Sequence, residues 1–194
     1  MATIGLDKLY YATITEDENG DETYATPTVL AEAVSAELSV ELNEAIFYAD
    51  DKASETVKEF KSGSITLSIN DIGSSVASAL IGATIDDNGA LVHSGEDTSS
   101  NVAIAFRAKK SNGKYRYFWL YRVKFGVPST SLTTKGDSVS FANPSIVGTI
   151  MLRNKPDDNN KHPWKTEITE GETGVDTATI TSWFDAVYEP TYSV

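Results

Sequence analysis

The chain contains no cysteine, so neither a disulfide framework nor a thiolate metal site can form. It has no run of about eighteen apolar residues, which excludes a membrane-spanning helix. Basic residues are scarce: 16 Lys and Arg stand against 28 Asp and Glu, a formal net charge of −12. A surface of that sign keeps the protein soluble. It also repels nucleic acid, because binding normally requires phosphates neutralised by Lys and Arg. Only two histidines occur, His93 and His162, each isolated in a turn-like context, whereas metal sites cluster their ligands at set spacings. No Gly-rich phosphate loop, internal repeat or heptad is present. The opening MATIGLDKLYYA carries Asp7 and lacks a basic stretch followed by an apolar one. No signal peptide is therefore expected, and synthesis is expected in a cytoplasm.

What is present is one dense apolar stretch, KYRYFWLYRVKFGVP, at residues 114–128. At a period of two, Tyr115, Tyr117, Trp119, Tyr121, Val123 and Phe125 fall on one side. Lys114, Arg116, Phe118, Leu120, Arg122 and Lys124 fall on the other. A helix would scatter these aromatics around its cylinder. A strand gathers them on one face and leaves a mixed, partly covered second face. This stretch is read as the central strand, with Tyr115, Tyr117, Trp119 and Tyr121 in the core. The 194 residues suffice for one domain with a proper core, and a single domain spanning 1–194 is expected.

Along the chain, residues 3–15 alternate as a first strand, with Leu6, Lys8, Tyr10, Ala12 and Ile14 opposite Asp7, Leu9, Tyr11 and Thr13. EDENGDE, residues 16–22, is a hairpin turn around Asn19-Gly20 that lacks the spacing of a calcium loop. Residues 34–42 alternate almost purely. Val34, Ala36, Leu38, Val40 and Leu42 lie on an expected buried side, and Ser35, Glu37, Ser39 and Glu41 on a wet one. Residues 43–63 are charged, sustain no period and read as a long loop, a length uncommon without a function. Ile65, Leu67 and Ile69 point inward from the next strand. Asn70-Asp71 offers an N-cap, Ile72, Val76 and Leu80 recur at helical spacing, and Gly82 stands at C′. A DDNG turn and a short strand near residues 90–93 follow. Val102, Ile104, Phe106 and Ala108 form a strand joined by Asn112-Gly113 to the aromatic one. Val139 and Phe141, then Ile146, Gly148 and Ile150 suggest another, with Pro144 marking a bulge or an edge. Residues 165–169 are extended, and residues 179–187 read as a short helix capped by Thr179 or a last strand. The sum is a mainly β chain: an antiparallel β-sandwich or barrel of about eight strands with one flanking helix.

Catalytic constellations are thin. Gly136-Asp137-Ser138 resembles the start of a lipolytic motif, but it lies late in a β pattern. Its only downstream histidine, His162, has Asn159 where that family places an aspartate. No general base for Ser138 is evident, so an esterase is the weakest reading and no cofactor is expected. The cations and rings of residues 114–124 could form a nucleic-acid platform, but burial suits them better. A monomeric carbohydrate-type binding module using Tyr48 or Trp164 is the alternative from another class.

Residues 109–150, KKSNGKYRYFWLYRVKFGVPSTSLTTKGDSVSFANPSIVGTI, resemble the signature region of the major tail proteins (tail tube proteins) of long-tailed, non-contractile phages and prophages of Gram-positive bacteria. Trp119-Leu120-Tyr121, Lys135-Gly136-Asp137, Pro144 and Gly148 carry the match. Residues 82–110 and the ending SWFDAVYEP are also similar to the family. The resemblance implies a virion structural protein, not an enzyme, that self-assembles into six-membered rings stacked as a hollow tube for genome ejection. Implied partners are further copies of itself and the tape measure, tail terminator and distal tail proteins. Double-stranded DNA would pass through without specific binding. Relatives often append an immunoglobulin-like domain, and none is expected here. On this reading Ser35, Glu37, Ser39 and Glu41 are candidates for the lumen lining. Residues 43–63, with Tyr48, Asp50, Asp51, Lys52 and Glu55, are candidates for the contact with the next ring.

Overall fold

Strand pairing organises the protein, which is described from a computed structural model covering residues 2–18, 20–49, 52–129 and 143–192. The elements in chain order are β1 (Thr3–Glu16), β2 (Glu22–Tyr24), β3 (Thr28–Ala31), β4 (Ala33–Ala49), β5 (Lys52–Ile69), α1 (Ser74–Ile81), β6 (Thr84–Ile85), β7 (Leu91–Val92), β8 (Asn101–Lys110), β9 (Tyr115–Phe125), β10 (Ser145–Ile150), β11 (Lys165–Thr169) and α2 (Thr177–Thr181). The described residues thus form eleven strands, more than the eight expected, because several are only two to five residues long. The main sheet is antiparallel, in the order β2-β1-β8-β9-β10-β5-β4, with β11 on β9 and β3 on β1. β3 and β4 are one extended stretch interrupted only at Glu32. Its first part pairs with β1 and its second with β5, so the sheet curls into a barrel.

Two apolar layers follow from that closure. Inside lie Leu9, Ile65, Leu67, Ile69, Ile104, Leu120, Ile146 and Ile150, capped at one end by Ala77, Leu80 and Ile81 of α1. Outside β1, β8 and β9, the C-terminal segment covers Tyr117, Trp119 and Tyr121 with Trp183 and Val187. Ala12, Ala103 and Ala105 underlie these rings, and their small side chains leave room for the indoles. Trp119 Nε1 donates to the Trp183 carbonyl at 3.1 Å, and the Tyr121 hydroxyl to the Tyr188 carbonyl at 2.9 Å. Burial pushes the Tyr121 phenol well above its ordinary range.

The central strand departs from simple alternation. Val123 and Phe125 do not join the aromatic face but enter the barrel interior with Leu120. The β8 register accounts for this: Val102 faces Val123 but Ile104 faces Leu120, so one extra β9 residue is bulged out and the phase reverses. β1 does the same between Asp7 and Tyr10, where Lys8 takes φ 53°. Leu6, Leu9 and Tyr11 consequently face one layer, and Tyr10 and Ala12 the other. Both bulges overturn the strict two-residue periodicity expected of these strands.

Other expectations also need correction. The helix N-cap is Gly73, without a side-chain bond, instead of Asn70-Asp71. Asn70 turns back instead: its Nδ2 donates to Glu32 Oε2, and its Oδ1 accepts the Glu32 N–H. Gly82 ends the helix at φ 76°, and a Cβ there would lie 2.3 Å from the Thr98 carbonyl oxygen. Residues 177–181 are helical and are capped by Asp176, whose Oδ1 accepts the Ala178 N–H, rather than by Thr179. Residues 43–49 and 52–63 are not a loop but paired strands, with β4 and β5 in register from Ala33–Ile69 to Ala49–Lys52. The Lys135-Gly136-Asp137 turn, Ser138, Val139 and Phe141 lie outside the described residues.

Gly148 of β10 is required by close packing, since a Cβ would stand 2.6 Å from Val123 Cγ1 and 2.8 Å from a Phe125 ring atom. Gly148→Ala is expected to destabilise the chain by about 1–3 kcal/mol, measurable by denaturant unfolding.

A buried ionic network ties four segments together. Glu22, only 2% exposed, accepts from Arg122 Nη1 at 2.7 Å and from the Asn154 N–H at 2.9 Å. Arg122 Nη2 also donates to Glu16 at 2.9 Å. Arg153, 1% exposed, donates to Glu189 at 2.8 Å and lies 4.7 Å from the centre of the Tyr121 ring. The β1–β2 hairpin, β9, residues 151–155 and the C-terminal segment meet here.

Candidate assembly surfaces

Three strands, β10, β5 and β4, build one continuous outward face, and their registers define it rung by rung. Ser145 lies opposite Ser68 and Ser68 opposite Ser35. The next rungs are Val147, Thr66 and Glu37, then Thr149, Ser64 and Ser39. Glu41 opposite Ser62 completes the series on two strands. The intervening residues point the other way: Ile146, Leu67 and Ala36, then Gly148, Ile65 and Leu38. Strand geometry therefore sorts this region into an apolar inside and a hydroxyl-rich outside bearing two carboxylates. The four residues Ser35, Glu37, Ser39 and Glu41 share this face and are exposed. Glu41 accepts from Ser62 Oγ at 3.2 Å and lies 3.5 Å from Lys61 Nζ. The hydroxyl row of β5 and β10 was not singled out in the sequence. Its signal is the Ser62, Ser64, Thr66, Ser68 alternation opposite the inward apolar residues.

β4 is the outermost strand of this face, and among the described residues no strand pairs with its outer edge. The expected burial of its apolar row is not found. Leu38 is 36% exposed, Val40 39% and Leu42 53%, and of the row Val34, Ala36, Leu38, Val40 and Leu42 only Ala36 packs against the interior among the described residues. Past the last β10 partner, Gly63, the β4–β5 pair leaves the sheet as a two-stranded arm. Register shifts at Glu41/Leu42 and Phe47/Tyr48 bend and twist this ribbon. At about 3.3 Å per residue, residues 42–49 reach roughly 25 Å. The root of the arm is fixed by Phe60, whose ring stacks on Trp164 at 4.7 Å and 10°. Lys58 pairs with Glu44 at 3.4 Å further out.

A model of the phage tail tube protein family matches residues 37–182. The chain belongs to the phage tail tube protein family. It is accordingly a structural component of a phage tail. The matched span takes in the outward face from Glu37, the whole arm and the central strand. A solved structure, the anti-feeding prophage cap (AFP tube terminating cap), superimposes with a TM-score of 0.44 at 11% identity, covering 87% of this chain and 93% of that one. No curated protein matches by sequence.

In this tail tube chain the arm carries the residues singled out for contact. Tyr48 lies opposite Ala53, Ala49 opposite Lys52 and Phe47 opposite Glu55, all in paired strands, while Asp50 and Asp51 lie outside the described residues. Trp164 is stacked by Phe60, and Lys165 Nζ lies 5.3 Å from its ring centre, so it is not a free stacking platform for a sugar. His162 Nδ1 lies 3.0 Å from the Arg153 carbonyl oxygen, and His93 sits at the rim of a cavity beside α1. That cavity, of about 610 Å³, was also not singled out in the sequence, because segments far apart in the chain enclose it.

Proposed function

We propose that copies of this chain join edge to edge into six-membered rings, and that the rings stack into the tail tube through which the genome leaves the virion. The observation that carries this reading is the edge of β4, which no strand pairs among the described residues and which runs without interruption into an arm that leaves its own sheet. An open edge is a template for another strand, and native monomers ordinarily cover or shorten it. A long ribbon with no core of its own is marginal in isolation, so its apolar residues need a neighbour. On this reading residues 43–63 form the joint to the next ring. The tape measure, tail terminator and distal tail proteins bound the tube, and the protein is made in the host cytoplasm and acts without catalysis.

The outward face with Ser35, Glu37, Ser39 and Glu41 suits the lumen. Duplex DNA carries a phosphate charge about every 1.7 Å of axis, and a carboxylate-bearing wall repels it where a cationic wall would retain it. The serines and threonines add polarity without charge. Concentrated protein is expected to form rings and filaments in negative-stain images, whereas a persistent monomer would overturn the reading. The Glu37→Lys/Glu41→Lys double variant is expected to assemble normally, both side chains being exposed. It should slow DNA ejection on the order of tenfold. Ejection at the wild-type rate would remove Glu37 and Glu41 from the lumen.

A further inference from the structure

The cavity beside α1 is bounded by Ile72, Ala77, Ile81, Leu91, Val127 and Pro128 among others. Its size falls within the range of about 300–1,000 Å³ in which proteins hold small ligands or inserted side chains. Two carboxylates stand at its rim, and both are already engaged locally. Asp71 Oδ1 accepts the Ile72 N–H at 2.8 Å, and Asp97 Oδ2 accepts the Ser94 N–H at 2.8 Å. The remaining lining therefore suits an apolar guest better than a cation.

One strand connects this cavity to the arm. β5 begins at Lys52, at the far end of the arm, and ends at Ile69, immediately before Asn70 and Asp71 of the cavity wall. Its 18 residues span roughly 60 Å at about 3.3 Å each. The far end of the arm and the cavity wall thus lie at opposite ends of one strand. Contact between two different patches of identical subunits is heterologous and repeats without closing, which is the geometry an axial stack requires. The far end of the arm reads Ile46-Phe47-Tyr48-Ala49, the most apolar part of residues 43–63.

We infer that the cavity beside α1 is the socket for residues 46–49 of a copy in the adjacent ring. This rests on the tube reading above and names the surface that receives the arm.

The absence of cysteine makes the test clean, since only introduced thiols can couple. Tyr48→Cys and His93→Cys in one chain place a thiol at the plug and another at the socket rim. Tubes assembled from this double variant and oxidised are expected to run mostly as a ladder of covalent multimers on a non-reducing gel. Either single variant should stay monomeric. Pairing Tyr48→Cys with Lys110→Cys, at the end of β8, should give no ladder. Tubes without a ladder from the His93 pair, or with one from the Lys110 pair, overturn the inference while leaving the tube reading intact. Gly95→Trp is the second variant: Gly95 lines the cavity, and a Cβ there meets nothing within 4 Å, so the backbone position admits a side chain, and the melting of the monomer checks that the ring is tolerated. Unchanged monomer melting with tube formation lost supports the socket, and tubes of normal length refute it. A disulfide within the monomer between His93→Cys and Ser138→Cys would show residues 130–142 filling the cavity, which also refutes it. Failure of the unmodified protein to form tubes at all would sink the tube reading and this inference together.

Discussion

Glu22→Ala is expected to cost about 3–5 kcal/mol, the ordinary penalty for breaking a buried ion pair. Melting should fall by roughly 6–20 °C, since each kcal/mol shifts a domain of this size by about 2–4 °C. The loss is large because the partners stay buried when Glu22 is removed. Arg122 would keep only Glu16, at 2.9 Å, and the Asn154 N–H would lose its acceptor. Retention of Glu16 argues for the lower part of that range, and the orphaned amide for the upper. A double variant, Glu22→Ala with Arg122→Met, should lose less than the sum of the two single changes, because the stranded guanidinium disappears with its partner. Thermal unfolding of the three variants measures this directly. Additive losses would show that the pair is not coupled.

The second large effect separates assembly from folding. Replacing residues 44–58 by Asn-Gly retains the Leu42–Phe60 and Asn43–Glu59 pairings and closes the shortened ribbon with a two-residue hairpin turn. Among the described side chains of the removed span, residues 44, 45 and 56–58, none belongs to either apolar layer. Melting of the monomer should therefore change by no more than about 4 °C, corresponding to roughly 1 kcal/mol. Tube formation should be lost altogether. Keeping Phe60 on Trp164 matters, because without that stack the root of the arm would loosen and blur the comparison. Tubes of normal length from the shortened chain would deny the arm its role in stacking.

Where alternation was unbroken, the sequence was sufficient. Ile65, Leu67 and Ile69 face the barrel interior, and Trp119 and Tyr121 are fully buried. The pattern misled where one extra residue intervened. A bulge leaves composition and hydrophobicity untouched while reversing every side chain beyond it, and Val123 and Phe125 changed layer for that reason. Residues 43–63 looked like a loop because the described side chains of the ribbon, 43–45 and 56–59, are all exposed and no inside imposes a period on them. Their pairing became visible only with the partner strand in register.

The residues by themselves determined the β class, the central strand, the amphipathic helix ending at Gly82 and the kinship with tail tube proteins. These depend on local periodicity, on turn chemistry and on long runs of matching residues, all carried within short stretches of chain. Tertiary structure alone decided which carboxylate of the acidic turn is buried, since Glu22 meets Arg122 only across a separation of 100 positions. It also decided that the apolar row of β4 stays uncovered, that the Ser and Glu residues of β4 extend into a three-strand face, and that a cavity stands at the other end of β5 from the arm. Each of these depends on the neighbour across a strand or on the far end of the barrel, a relation that residue order does not contain.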